Sequence, residues 1–110
     1  MNVFRVAEAA KEPATTNIVA GGSKKGTLTI WTATTGQILA EIESAHYMEI
    51  NDLDISTDNS DFIITGGKDC KVKIWQFSTC YHEFGDHQQE VTCVAFSKNN
   101  SNRAFSASTD

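Results

Sequence analysis

The sequence predicts an all-β chain built from repeated four-stranded antiparallel units. Two observations predict it: a hairpin pattern that recurs, and the spacing at which it recurs. Phe62-Ile-Ile-Thr65 is a β-branched and aromatic run, Gly66 to Asp69 supplies turn residues, and Lys71 to Trp75 alternates charge with bulk. His46 to Asp69 aligns without a gap on His87 to Asp110, since 87 − 46 and 110 − 69 both equal 41. That offset lies inside the period of about 40 to 45 residues of one propeller blade.

The alignment places His46 on His87, Glu49 on Glu90, Ser56 on Ser97 and Asp69 on Asp110. Apolar positions recur as well, with Ile50, Leu53, Ile55 and Ile64 falling on Val91, Val94, Phe96 and Phe105. A looser copy runs from Asn17 to Trp31 and reads as the same hairpin with one more residue in its turn. The fold class is therefore a partial β-propeller of about two and a half four-stranded antiparallel blades: blade one 1–44, blade two 45–85 and partial blade three 86–110.

In blade one the strands fall near Asn2 to Val6, Ile18 to Gly21, Leu28 to Thr32 and Ile38 to Ile42, with Ser23 to Gly26 as a turn. Val6 to Glu12 also has helix-forming composition before Pro13, but a strand followed by a loop suits the repeat better. Blade two takes Ile50 to Ile55, Phe62 to Thr65, Lys71 to Phe77 and Cys80 to Phe84; blade three takes Val91 to Phe96 and Arg103 to Ser106. Gly66 and Gly67 let a strand end and a neighbouring blade approach closely.

The chain has 110 residues, 40% of them apolar, enough for a core. A net charge of −5 and scattered lysines disfavour general nucleic-acid binding. Three cysteines, Cys70, Cys80 and Cys93, fit reduced thiols in cytosol or nucleus. The first 13 residues lack the apolar core of a signal peptide, and no apolar run reaches the roughly 18 residues of a membrane helix.

His46, Thr65, Asp69 and Trp75 occur in the order and spacing of the structural tetrad of WD40-repeat propellers, which this sequence resembles over nearly its whole length. The resemblance implies a buried hydrogen-bond network joining the four side chains. By position, His87, Ser106 and Asp110 are three members of a second tetrad. The first repeat departs from the pattern, reading Ala20 where the hydroxyl belongs and Lys24 or Lys25 in place of the aspartate, so Trp31 must be satisfied differently. The eponymous Trp-Asp becomes Trp31-Thr32 and Trp75-Gln76.

Rival chemistry is weaker on the same residues. His87, Ser106 and Asp110 are the residue types of a hydrolase triad, but Ser106 lies within a strand and lacks a strained nucleophile turn. Gly21-x-x-x-x-Gly26-Thr27 lacks the lysine of a phosphate loop. Cys80, His82 and Cys93 lack zinc-site spacing and a fourth ligand. The reading is thus of a non-enzyme with no metal and no cofactor.

WD40 propellers act as interaction platforms, which implies protein partners in a multi-subunit complex and no membrane. The loop residues best placed to meet a partner are Tyr47, Met48 and Lys68 in blade two and Gln88, Gln89 and Thr109 in blade three. Within the family, Leu28 to Leu39, Ala45-His-Tyr47 and Ile64-Thr-Gly-Gly-Lys-Asp-Cys70 resemble Ipi-type WD-repeat subunits of the nuclear Rix complex. That resemblance implies a nuclear scaffold for pre-ribosomal RNA processing and large-subunit maturation, with RNA contacted indirectly. The alternatives are a signalling or ubiquitin-ligase adaptor in the cytoplasm, or a truncated piece without independent function. Open blade faces also predict self-association.

Overall fold

The computed structural model describes residues 3–8, 17–32, 35–56, 62–76, 79–85, 87–96 and 104–108, with backbone alone for 3–8 and 17. Their strands form three antiparallel sheets. The first is β1 (Val3–Glu8), β2 (Asn17–Gly22), β3 (Leu28–Thr32) and β4 (Ile38–Ile42), in chain order. The second is β5 (Ile50–Ile55), β6 (Phe62–Gly67), β7 (Val72–Gln76) and β8 (Thr79–Phe84), and β9 (Val91–Phe96) pairs with β10 (Ala104–Ser108) in the third. The first strands lie together, with β5 packed beside β1 on one side and β9 on the other. This is the arrangement of propeller blades around an axis.

Strand limits coincide with the sequence expectation in β3, β4, β5 and β9 and move by one or two residues elsewhere. β1 pairs with β2 through Ala7 and Glu8, so the segment expected to turn away after Val6 stays extended. Hydrogen bonding to β2 outweighs the local helix propensity there. Likewise β6 runs on to Gly67 and β10 on to Ser108. Phe77 and Arg103 lie outside the described residues.

Alternation gives the second sheet two apolar faces. Ile63 and Trp75 sit opposite one another on one face of the second sheet, Ile64 and Ile74 on the other. The first pair joins Ile50, Leu53 and Ile55 in packing against Ile18, Ala20, Leu28, Ile30, Ala40 and Ile42 of the first sheet. The second pair joins Val72 against Val91, Val94 and Phe96 of the third sheet. The middle sheet is therefore covered on both sides, which is why its strands read as nearly continuous apolar runs.

Hairpins β2–β3 and β6–β7 are twins, and here the sequence reading needs correction. Counting back from each Trp, Val19 pairs with Trp31 as Ile63 pairs with Trp75, and Gly22 pairs with Leu28 as Gly66 pairs with Val72. The turns have equal length. Ser23 N–H donates to Thr27 C=O and Gly67 N–H to Lys71 C=O, both at 3.1 Å. Gly26 N–H donates to Ser23 C=O and Cys70 N–H to Gly67 C=O, both at 3.2 Å. The counterpart of Thr65 is thus Gly21, paired with Thr29, and the counterpart of Asp69 is Lys25. Ala20 instead faces the second sheet, in the core. An alignment anchored on the two Ile-rich strand starts conceals this, because the Gly-Gly pair is shifted by one.

The turn's fourth residue has a left-handed backbone in both hairpins, Gly26 at φ 88° and Cys70 at φ 70°. At Gly26 a side chain is excluded twice over, since a Cβ would also stand 2.1 Å from the His46 carbonyl oxygen. That close approach brings the next loop onto the turn.

Candidate functional site

The loop 44–49, between β4 and β5, is held by both hairpin turns. His46 N–H donates to Gly26 C=O and Ile50 N–H to Ser23 C=O, each at 3.1 Å. From the other side, Lys68 N–H donates to Glu49 C=O at 2.8 Å and Tyr47 N–H to Asp69 Oδ2 at 3.1 Å. Two sheets are thereby fastened through one short loop.

His46, Thr65, Asp69 and Trp75 come together beneath this loop. His46 Nδ1 lies 3.0 Å from Asp69 Oδ1, and Nε2 lies 2.7 Å from Thr65 Oγ1. Trp75 Nε1–H donates to the same hydroxyl at 2.9 Å. A neutral imidazole has one donor and one acceptor, and a carboxylate only accepts, so Nδ1 carries the proton. The direction then runs without conflict: indole N–H to threonine oxygen, threonine O–H to Nε2, Nδ1–H to Asp69. Lys71 N–H adds a bond to Asp69 Oδ1 at 3.1 Å.

Burial pushes the His46 imidazole below the usual histidine value, and Asp69 offsets this only in part. At Asp69 burial pushes upward, but the bond and charge from His46 and the N–H groups of Tyr47 and Lys71 together hold the carboxyl below the usual range. Thr65 is 0% exposed, His46 1% and Trp75 4%. Gly67 makes room for the pair, since a Cβ there would stand 2.6 Å from His46 Nδ1 and 2.7 Å from Asp69 Oδ1. Gly66 does the same for the third sheet, where a Cβ would stand 2.6 Å from Val91 Cγ1.

In the third sheet His87 Nε2 lies 2.9 Å from Ser106 Oγ, with the hydroxyl exposed. Asp110 and Thr109 lie outside the described residues. In the first sheet Trp31 is half-buried, and its neighbouring positions Gly21 and Lys25 carry neither a hydroxyl nor a carboxylate. Of the loop residues, Tyr47 is 91% exposed, and Met48, Lys68, Gln88 and Gln89 are also exposed. Lys68 Nζ reaches Glu49 Oε1 at 3.8 Å, an ion pair of small energy at a surface.

One set of residues escaped the sequence reading. Asp52 Oδ2 accepts from Val94 N–H at 3.1 Å, Asp54 Oδ2 accepts from Phe96 N–H at 2.9 Å, and Asn51 Nδ2 donates to Glu90 Oε1 at 2.8 Å and Val91 C=O at 2.9 Å. These side chains tie β5 to β9, where no backbone ladder joins the two sheets. The signal was three polar residues inside a strand with both faces covered.

Among the described residues the remaining motifs form neither a phosphate loop nor a metal site. Gly21 and Gly22 lie in β2 rather than in a phosphate-binding loop. Among the described residues no group of three His, Cys, Asp or Glu side chains is placed to hold a metal ion. Among the described residues no disulfide joins Cys70, Cys80 or Cys93.

Residues 36–76 and 78–110 match the family described as WD domain, G-beta repeat. The chain belongs to the WD40-repeat family. Each matched repeat starts on the last strand of one sheet and continues into the next, 36–76 covering β4 to β7 and 78–110 covering β8 to β10. A WD40 repeat here therefore laces neighbouring sheets, with loop 44–49 at the crossing.

Among relatives, the pre-rRNA-processing protein IPI3 of Candida albicans is 36% identical over 64% of this chain and 14% of its own length. The periodic tryptophan protein 2 homolog of Dictyostelium discoideum is 36% identical over 82% of this chain and 10% of its own length. The E3 ubiquitin-protein ligase COP1 of Arabidopsis thaliana is 29% identical over 86% of this chain and 14% of its own length. The chain thus spans at most 14% of the length of these curated relatives.

Proposed function

We propose that the chain is a non-catalytic interaction scaffold, a WD40-repeat component of a nuclear complex that processes pre-ribosomal RNA and matures the large subunit. In this reading residues 1–44, 45–85 and 86–110 serve as blade units, His46, Thr65, Asp69 and Trp75 hold the loops, and the loops meet protein partners. The observation that carries the scaffold role is the combination at loop 44–49: a backbone fixed from both sides beneath a Tyr47 side chain that is 91% exposed. A pre-organised loop presenting an aromatic anchor loses little entropy on binding.

The non-catalytic reading is supported by the geometry of the buried network. Both ring nitrogens of His46 are engaged and its hydroxyl partner Thr65 is buried, so this network has no access to substrate, and Ser106, in the middle of β10, lacks a strained nucleophile turn. The ribosomal assignment is supported by the similarity to the pre-rRNA-processing protein IPI3 of Candida albicans, Mycosarcoma maydis and Meyerozyma guilliermondii.

A ubiquitin-ligase adaptor is the second reading, favoured by the COP1 matches. Affinity purification of the tagged chain, with sequencing of bound RNA and mass spectrometry of bound protein, separates the two. Large-subunit precursor RNA with nuclear assembly proteins is the expected result. Ligase subunits without precursor RNA would replace the first reading by the second.

A further inference from the structure

The rim between hairpin turns 23–26 and 67–71 joins exposed apolar side chains to unpaired positive charge. Loop 44–49 crosses it, its backbone fixed to Ser23 and Gly26 on one side and to Lys68 and Asp69 on the other. On this crossing Tyr47 is 91% exposed and Met48 43%, and the turns beside it carry exposed Lys24, Lys25 and Lys68. We propose that the rim docks an extended acidic segment of a partner protein, with an apolar side chain of the segment on Tyr47 and Met48 and its carboxylates meeting the lysines on either side. This rests on the scaffold reading and adds the chemistry of the partner.

The charge pattern selects an acidic occupant. Lys24 holds the turn position of Lys68 and Lys25 that of Asp69, so the first turn presents two cations where the second presents a cation and a carboxylate. Ser23 Oγ accepts from Lys25 N–H at 3.2 Å and Thr27 N–H at 3.1 Å, whereas Asp69 Oδ1 accepts from Lys71 N–H in the second turn. The first turn therefore closes without an aspartate, and its lysine side chains take no part in closing it. Asp69 is engaged by His46, Glu49 lies 3.8 Å from Lys68, and Lys71 lies 3.2 Å from Glu83. Among the described residues Lys24 and Lys25 have no such partner, and of the carboxylates in and beside the loop Glu43 alone stands unpaired. The unpaired charge of the rim is thus positive in a chain of net charge −5. An anionic partner is drawn to this rim and repelled by the acidic remainder, which orients it.

The same residues favour a peptide over a nucleic acid. Single-stranded RNA needs a positive groove that tracks its phosphates, whereas Glu43, Glu49 and Asp69 interrupt the lysines here. A peptide can set its charges opposite Lys24, Lys25 and Lys68 and keep an apolar residue between them. Tyr47 and Met48 suit that residue, since aromatic side chains and Met are enriched at interface centres.

The test is a fluorescence-anisotropy titration of the 110-residue chain with a labelled peptide bearing one Phe between two Asp-Glu pairs. The same peptide with Asn and Gln for its acids, and an oligouridylate of similar charge, are the comparison probes. Saturable binding of the acidic peptide is expected, weakening as salt rises. Tyr47→Ala, and Lys24→Glu combined with Lys25→Glu, should each weaken it at least about tenfold, and their exposed positions leave the core intact. Lys71→Ala, whose lysine is held by Glu83, should change affinity less than about twofold. Absence of saturable acidic-peptide binding, equal binding of the neutral peptide, preference for the oligouridylate, or no effect of the two glutamates would overturn the proposal. Affinity purification with the doubly substituted chain separates it from the scaffold reading. Loss of partners that the wild-type chain recovers is expected; retention of them would overturn the docking surface alone, and a wild-type chain that recovers no partner would overturn the scaffold reading itself.

Discussion

Hairpins β2–β3 and β6–β7 share register, turn length and the irregularity beside their Trp, yet they are fastened by different means. In the second, Thr65, Asp69 and Trp75 join His46 in a buried network; in the first, Gly21, Lys25 and Trp31 offer no such set and backbone bonds from Gly26 and Ser23 hold the loop. The difference teaches that backbone pairing and apolar alternation are enough to shape the hairpin. The polar network is an addition, made where a sheet face and its loop are covered on both sides.

The comparison breaks most visibly at the two tryptophans. Trp75→Ala should cost about 3–5 kcal/mol, combining a large cavity with an indole bond lost from a dry site. Trp31→Ala should cost clearly less, because its ring is only half-buried. Urea unfolding of both variants measures the gap, and similar losses would mean the two hairpins are equally loaded.

Next come the side chains that join sheets rather than strands. Asp52→Ala should cost about 1–3 kcal/mol, because it strands the Val94 N–H away from water. At Lys25, exposed on the first turn, substitution by Ala should stay within about 0.5 kcal/mol. Hydrogen exchange at Val94 and Phe96 would locate the loosening at β9.

Much of this was legible in the residues. Alternating bulk in Val72 to Gln76, the 41-residue offset and the His46, Thr65, Asp69, Trp75 spacing reflect local rules of strand pairing and turn formation, which are written along the chain. The links between Asp52 and Val94 and between Asp54 and Phe96 were not legible, because they depend on which strands adjoin across sheets. Nor was the place of Gly21: similarity of Asn17-Ile-Val-Ala to Phe62-Ile-Ile-Thr pointed one residue away, and only pairing to β3 sets the register. Tyr47 was named as a projecting side chain, whereas the double fixing of its backbone emerges from two turns far apart in sequence.

The buried network should also make stability depend on pH. The His46 and Asp69 shifts both run downward, so each contributes stability that is present above its unfolded-state value and lost as pH falls through the folded-state one. Stability should decline on acidification from about 6.5, as His46 is forced to protonate, and again below about 3.8 through Asp69. His46→Gln should flatten the upper part of that decline in a series of unfolding midpoints.

The central claim, that the buried side chains act together as a fastener, is tested most directly by a double-mutant cycle on His46 and Asp69, using His46→Gln, Asp69→Asn and the pair. Each single change should cost about 1–3 kcal/mol and the pair little more than the worse of the two, a coupling of about 1 kcal/mol or more. Strictly additive losses would contradict the account.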